Sequence, residues 1–90
     1  MTEPVQDPAD TRRRRLLFRA THRGTQENDL MIGGFVRAHL NTLTDADIDE
    51  LEDLMERPDV DLADWLTCRR PIAPEDATPM LLRIRASLIR

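Results

Sequence analysis

Several kinds of residue are scarce or missing in this chain of 90 residues, and each gap removes a class of protein. A single cysteine, Cys68, leaves no intramolecular disulfide and no cysteine cluster for zinc, which fits a reducing compartment. Tyrosine is absent, phenylalanine occurs twice and tryptophan once, glycine only three times, and β-branched runs are few. That balance disfavours a sheet and favours leucine-rich helices. No stretch reaches the roughly 18 consecutive apolar residues of a membrane span, so no membrane insertion is expected. The opening MTEPVQDPAD is acidic and proline-containing rather than signal-like, which points to an unprocessed cytoplasmic protein.

Lysine is missing too: all thirteen basic residues are arginines, a usage that codon bias alone explains. Six of them fall within residues 11–23, yet the net charge is -4. Duplex affinity comes largely from neutralising phosphates, and this run is short and lacks interleaved aromatics, so no nucleic-acid partner is expected. Charge is polarised along the chain: residues 1–40 carry seven arginines against five acids, residues 41–90 six against twelve.

Ninety residues make one domain, and at this size folding buries only about 60% of the surface of the unfolded chain. A small, efficiently packed core follows, with little room for an internal active site. Residues 1–10, with Pro4 and Pro8, read as a disordered acidic tail, and residues 11–90 as the domain. From Thr11, with Asp10 or Thr11 as cap, a first helix runs to a glycine stop at His22-Arg23-Gly24; Leu16, Leu17 and Ala20 form its apolar stripe beside Phe18, and Arg12, Arg13, Arg15 and Arg19 its wet side.

A second helix is expected from about Thr25 to Asn41, with Glu27 and Asp29 near the positive end of its dipole and Met31, Ile32, Phe35, Val36, His39 and Leu40 on one broad arc. Gly33 and Gly34 are out of place inside it, each costing about 1 kcal/mol relative to alanine. The strip Glu27, Leu30, Gly34 and Arg37 either admits a neighbouring helix, the preferred reading, or forms part of a docking surface. Leu43-Thr44-Asp45-Ala46-Asp47-Ile48 carries a capping box and an apolar staple, starting a third helix at Asp45 that Pro58 closes. Ten acids and one arginine lie between Asp45 and Asp64, read as a solvated face. A fourth helix over Asp59–Leu66 is expected to be capped by Asp59 or Asp61, with Leu62, Trp65 and Leu66 inward. Thr78 then caps a last helix with Pro79 at its first position and Met80, Leu81, Ile84 and Leu88 buried. The expected fold is all-α, a small bundle of five short helices.

Catalytic chemistry has little foothold. No glycine-rich phosphate loop, G-x-S-x-G or H-E-x-x-H pattern occurs, so neither a catalytic nor a metal-binding residue is assigned. His39 reads as a core histidine, and Cys68 as a plain buried or semi-buried thiol despite Arg69 and Arg70. At the junction His22-Arg23-Gly24-Thr25-Gln26-Glu27, glycine permits a tight turn that projects Arg23, a planar five-donor fork. Arg23 and Glu27 alone read as bracing for a helix start.

The pattern Arg23-Gly24-x-x-Glu27, followed by Asp29 and an apolar helix, is similar to the RGxxE signature of the FAD assembly factors of succinate dehydrogenase. Its specificity comes from company: Leu43-x-Asp45 introduces an acidic helix, and Pro58 to Leu66, PDVDLADWL, resembles the family's entry to its D-L-x-x-W-L segment. The likeness runs from about Thr11 to Leu88. His22 departs from it where many members carry a second arginine, and Asn28 where an apolar residue is usual.

The resemblance implies a five-helix fold and a non-enzymatic role. The chain would bind the flavoprotein subunit of succinate dehydrogenase, with that of fumarate reductase as a second client, and promote covalent attachment of FAD to it. Arg23, Gly24, Glu27 and Asp29 would contact the partner. No cofactor would be held stably by this chain, which would act as a monomer in a bacterial cytoplasm. A generic helical adaptor unrelated to flavin is the alternative.

Overall fold

The computed structural model describes residues 8–88. Within them the chain folds as α1 (Pro8–Thr21), α2 (Gln26–His39), α3 (Asp45–Leu54), α4 (Asp59–Leu66), a 3-10 turn (Pro74–Asp76) and α5 (Pro79–Leu88). The expected all-α bundle of five helices is what forms. The tail expected at residues 1–10 falls mostly outside the described residues, but α1 already begins at Pro8. Asp10 therefore lies within the helix instead of capping it.

α1 and α2 form the most extensive pairing, a helical hairpin closed by residues 22–25. Gly33 is what lets them approach. A Cβ there would lie 2.8 Å from Thr21 Cγ2 and 3.0 Å from the Ala20 carbonyl oxygen, so the glycine's helix cost is offset by closer packing. Against this hairpin α3, α4 and α5 lay Ile48, Leu51, Leu54, Leu62, Trp65, Leu66, Leu81 and Ile84, all buried with Leu16, Ile32 and Val36. Leu88 leaves the expected stripe: at 40% exposure, it lies at the end of α5 beyond the reach of the core.

Local signals set most boundaries. Thr44 and Asp47 form the reciprocal capping box, Thr44 Oγ1 accepting from Asp47 N–H at 3.1 Å and Asp47 Oδ2 from Thr44 N–H at 3.0 Å. The second of these bonds holds the Asp47 carboxyl below its ordinary range, with Arg83 adding to it. Thr25 caps α2 by accepting from Asn28 N–H, and Thr78 caps α5 by accepting from Leu81 N–H. α4 departs from expectation: neither Asp59 nor Asp61 caps it, and its N-cap Pro58 makes no side-chain bond. The Asp59 carboxylate is committed elsewhere, as described below.

Charge complementarity joins α1 to α3. Arg12 bonds both Asp49 and Glu52, and Arg19 reaches Glu56 at 2.9 Å. Arg13 donates to the carbonyls of Leu40 at 3.1 Å and Leu43 at 2.8 Å, closing the end of α2. The acidic face is thus partly paired rather than simply solvated, and much of the arginine run serves the fold. Exposed pairs of this kind are worth about 0–1 kcal/mol each, so they orient helices more than they stabilise them.

Cys68 corrects a further expectation, being exposed and left-handed at φ 62°. It occupies the position just past α4 where glycine is usual, with its N–H on Trp65 O at 3.3 Å and Arg69 N–H on Asp64 O at 2.9 Å, the two bonds of a Schellman stop. Cys68→Gly is therefore expected to raise stability by about 1 kcal/mol, the left-handed penalty of a residue with a Cβ. Urea unfolding checks it, and a midpoint that falls or stays put contradicts the assignment.

Candidate functional site

The hairpin turn and the first turn of α2 hold the four residues singled out in the sequence: Arg23 and Gly24 in the turn, Glu27 and Asp29 on the helix. Gly24 is exposed with φ 97°, and nothing lies within 4 Å of where its Cβ would be. Its requirement is therefore conformational, because residues with a Cβ rarely adopt that backbone. Asp29, on the first turn of α2, accepts the Arg23 backbone N–H at 2.6 Å and so ties the turn to the helix it precedes.

Arg23 does not project. Its side chain is 11% exposed and points between α3 and α4, where Nε donates to Asp59 Oδ1 at 2.8 Å, Nη1 to Met55 O at 2.6 Å and Nη2 to Arg57 O at 3.2 Å. Met55 O is the carbonyl at the C-cap of α3, which has no basic residue of its own in its last turn, and Arg57 O lies in the link to α4. The guanidinium supplies the missing cation and donors there from across the fold. A planar fork with donors on several edges suits this job in a way that a lysine ammonium would not.

Asn28 completes the clamp. Fully buried, it donates from Nδ2 to Asp59 O at 2.9 Å and to Asp59 Oδ1 at 3.1 Å, while its own Oδ1 has no protein partner. The residue that departs from the family's apolar habit thus anchors α2 to the start of α4. Asp59 is the shared acceptor of Arg23 and Asn28, which explains why it does not cap its own helix. Sequence reasoning missed this role for Asp59 and Asn28. Nothing local signals it, because the partners lie 31 to 36 residues apart in the chain.

Glu27 pairs with neither the turn nor Arg23. Its two oxygens accept from Arg69 Nη2 at 2.9 and 3.1 Å, bridging α2 to the loop after α4 beside an open groove of about 200 Å³ lined by Thr25, Val60 and Ala63. Val60, among the most exposed large apolar side chains at 70%, lines this groove. Sequence spacing thus brings Arg23, Gly24 and Asp29 into one bonded turn, while Glu27 faces a different neighbour. His39 is half-buried and stacks on Phe35 with centroids 4.3 Å apart, a structural setting. Among the described residues no group of three His, Cys, Asp or Glu side chains is arranged to hold a metal ion, and no helix is long and apolar enough to cross a membrane.

Fold and turn together define a small all-α protein that carries a rigid, exposed turn at one end of a helical hairpin. The chain belongs to the Sdh5 family, described as the flavinator of succinate dehydrogenase, whose model matches residues 14–88. It is 51% identical over 80 residues to the FAD assembly factor SdhE of Acetobacter pasteurianus, an alignment covering 89% of this chain and 73% of that protein. Mitochondrial succinate dehydrogenase assembly factor 2 of Mycosarcoma maydis is 40% identical over 70% of this chain and 26% of its own length. The counterpart from Meyerozyma guilliermondii is 33% identical over 80% and 56% respectively. The family membership expected from the sequence is thereby shown.

Proposed function

We propose that this protein docks on the flavoprotein subunit of succinate dehydrogenase and promotes covalent attachment of FAD to it, with the flavoprotein of fumarate reductase as a second client. FAD is cargo for the partner and is not held stably by this chain. The protein has no catalytic residue of its own and works as a monomer in a bacterial cytoplasm. Family membership across residues 14–88 is the observation that carries this reading. The surface offered is the exposed Gly24 turn with Glu27 beside it, held in shape from behind by Arg23 and Asp29.

Acceleration by such a protein comes from positioning. Docking would hold the flavoprotein in a conformation where the acceptor side chain meets the flavin ring and donors meet the charge that develops on it. A surface fixed by a buried clamp suits that task, since little of its binding energy is lost to ordering the turn.

Incubating purified apo flavoprotein subunit with FAD, with and without this chain, tests the proposal through flavin fluorescence that survives denaturing electrophoresis. Faster or more complete labelling with the chain present is expected. Equal labelling in both arms, on a flavoprotein shown to be folded, overturns it.

A further inference from the structure

The second helix carries an outward face that folding leaves unused. Leu30, Gly34, Arg37 and Ala38 are all exposed, and they follow one another at spacings that put them on one side of α2. No helix of the described residues lies on this strip, contrary to the preferred sequence reading. Gly33 and Gly34 therefore have different explanations. The first is required by contact with α1, whereas a Cβ on the second would meet nothing within 4 Å. Gly34 is thus a helix-weakening residue that the fold itself does not need.

Two open grooves flank the strip and share Leu30. One, of about 420 Å³, runs from Gly24 past Asp29 to Arg37; the other, about 320 Å³, lies between Gly34 and Leu88. The strip is therefore continuous with the Gly24 turn. Arg37 is exposed and, like Arg14 and Arg15 on α1, forms no ion pair among the described residues, but it alone of these lines the groove that reaches Gly24.

The geometry points to an extended docking surface, resting on the function proposed above. The flavoprotein seats an apolar segment along Leu30 and Gly34, its backbone approaching the bare Cα of Gly34, with a carboxylate opposite Arg37. Bulk at Gly34 is excluded by that approach and not by folding. A second copy of this chain is the competing occupant, since Glu27 and Arg37 stand at opposite ends of the strip. Glu27, however, is already held by Arg69 within the chain, which leaves Arg37 a neutralised carboxylate in an antiparallel pair.

Affinity for the purified apo flavoprotein subunit, measured by calorimetry with full-length variants, decides the matter. Gly34→Leu is expected to bind at least tenfold more weakly while its melting temperature stays level or rises, leucine being the better helix former. Arg37→Glu is expected to weaken binding by a similar factor, more at low salt than at high. Ala46→Leu, an exposed change on α3, is the control expected to bind as wild type. If Gly34→Leu binds normally while Gly24→Ala does not, the extension is wrong and the Gly24 surface stands. If the wild type itself does not bind, the underlying function falls and this surface with it. A wild-type dimer in sedimentation that Gly34→Leu dissociates, with flavoprotein affinity unchanged, assigns the face to a second copy and overturns the proposal.

Discussion

Trp65→Ala is expected to lower the unfolding free energy by about 3–5 kcal/mol, the range for removing a buried indole and leaving a cavity. Trp65 is 6% exposed and packs within the cluster that holds Leu62, Leu66 and Met80, with the Arg70 guanidinium 5.6 Å from its ring centroid. Domains of this size are stable by only about 5–15 kcal/mol, so the variant stands close to the unfolding threshold at ordinary temperature. Circular dichroism in urea is the appropriate probe, because the substitution removes the chain's single tryptophan. A loss under about 1 kcal/mol would show that the indole does not knit α4 to the core as described.

The second large effect is expected at Arg23. Arg23→Ala removes a cation from a setting where Asp59, Met55 O and Arg57 O all accept from it, leaving a half-buried carboxylate, the α3 cap carbonyl and a link carbonyl without their donor. Hydrogen bonds to charged groups contribute about 1.5–3 kcal/mol, and a fully buried broken pair costs more. Because Asp59 is 30% exposed, solvent softens the loss, and about 2–3 kcal/mol is expected. Arg23→Lys keeps the charge but cannot serve three acceptors in one plane, and so recovers only part of it. Flavin attachment falls in parallel. Its recovery by Arg23→Ala in the presence of a stabilising osmolyte would identify Arg23 as a positioning residue. Full stability without flavin attachment would instead place Arg23 in direct contact with the partner.

The contrast with Gly24 sharpens this division. Gly24 is exposed and a Cβ there would meet nothing, so a substitution strains the backbone and reshapes the turn without opening the core. One half of the Arg-Gly pair holds the turn from inside; the other gives it its outward shape. Glu27 is held by Arg69 at the rim, where it remains partly accessible.

Helix number, most helix ends and the bulk of the core were legible in the sequence. Apolar spacing and caps act over three or four residues, and Thr44 and Thr78 cap as their local patterns dictate. The family was legible too, since RGTQE and DLADWL keep their order and separation in the bare chain. What only the tertiary structure decided are the contacts between residues far apart in sequence. Arg23 turns inward because the end of α3 arrives beside it with unpaired carbonyls, and Asp59 abandons its capping role because Arg23 and Asn28 claim it. Arg12 meets carboxylates on α3 and Arg19 the Glu56 carboxylate just past its end, and Gly33 meets α1 while Gly34 faces open space. Periodicity places a residue on a face of its helix; which partner that face meets is set by how the helices pack.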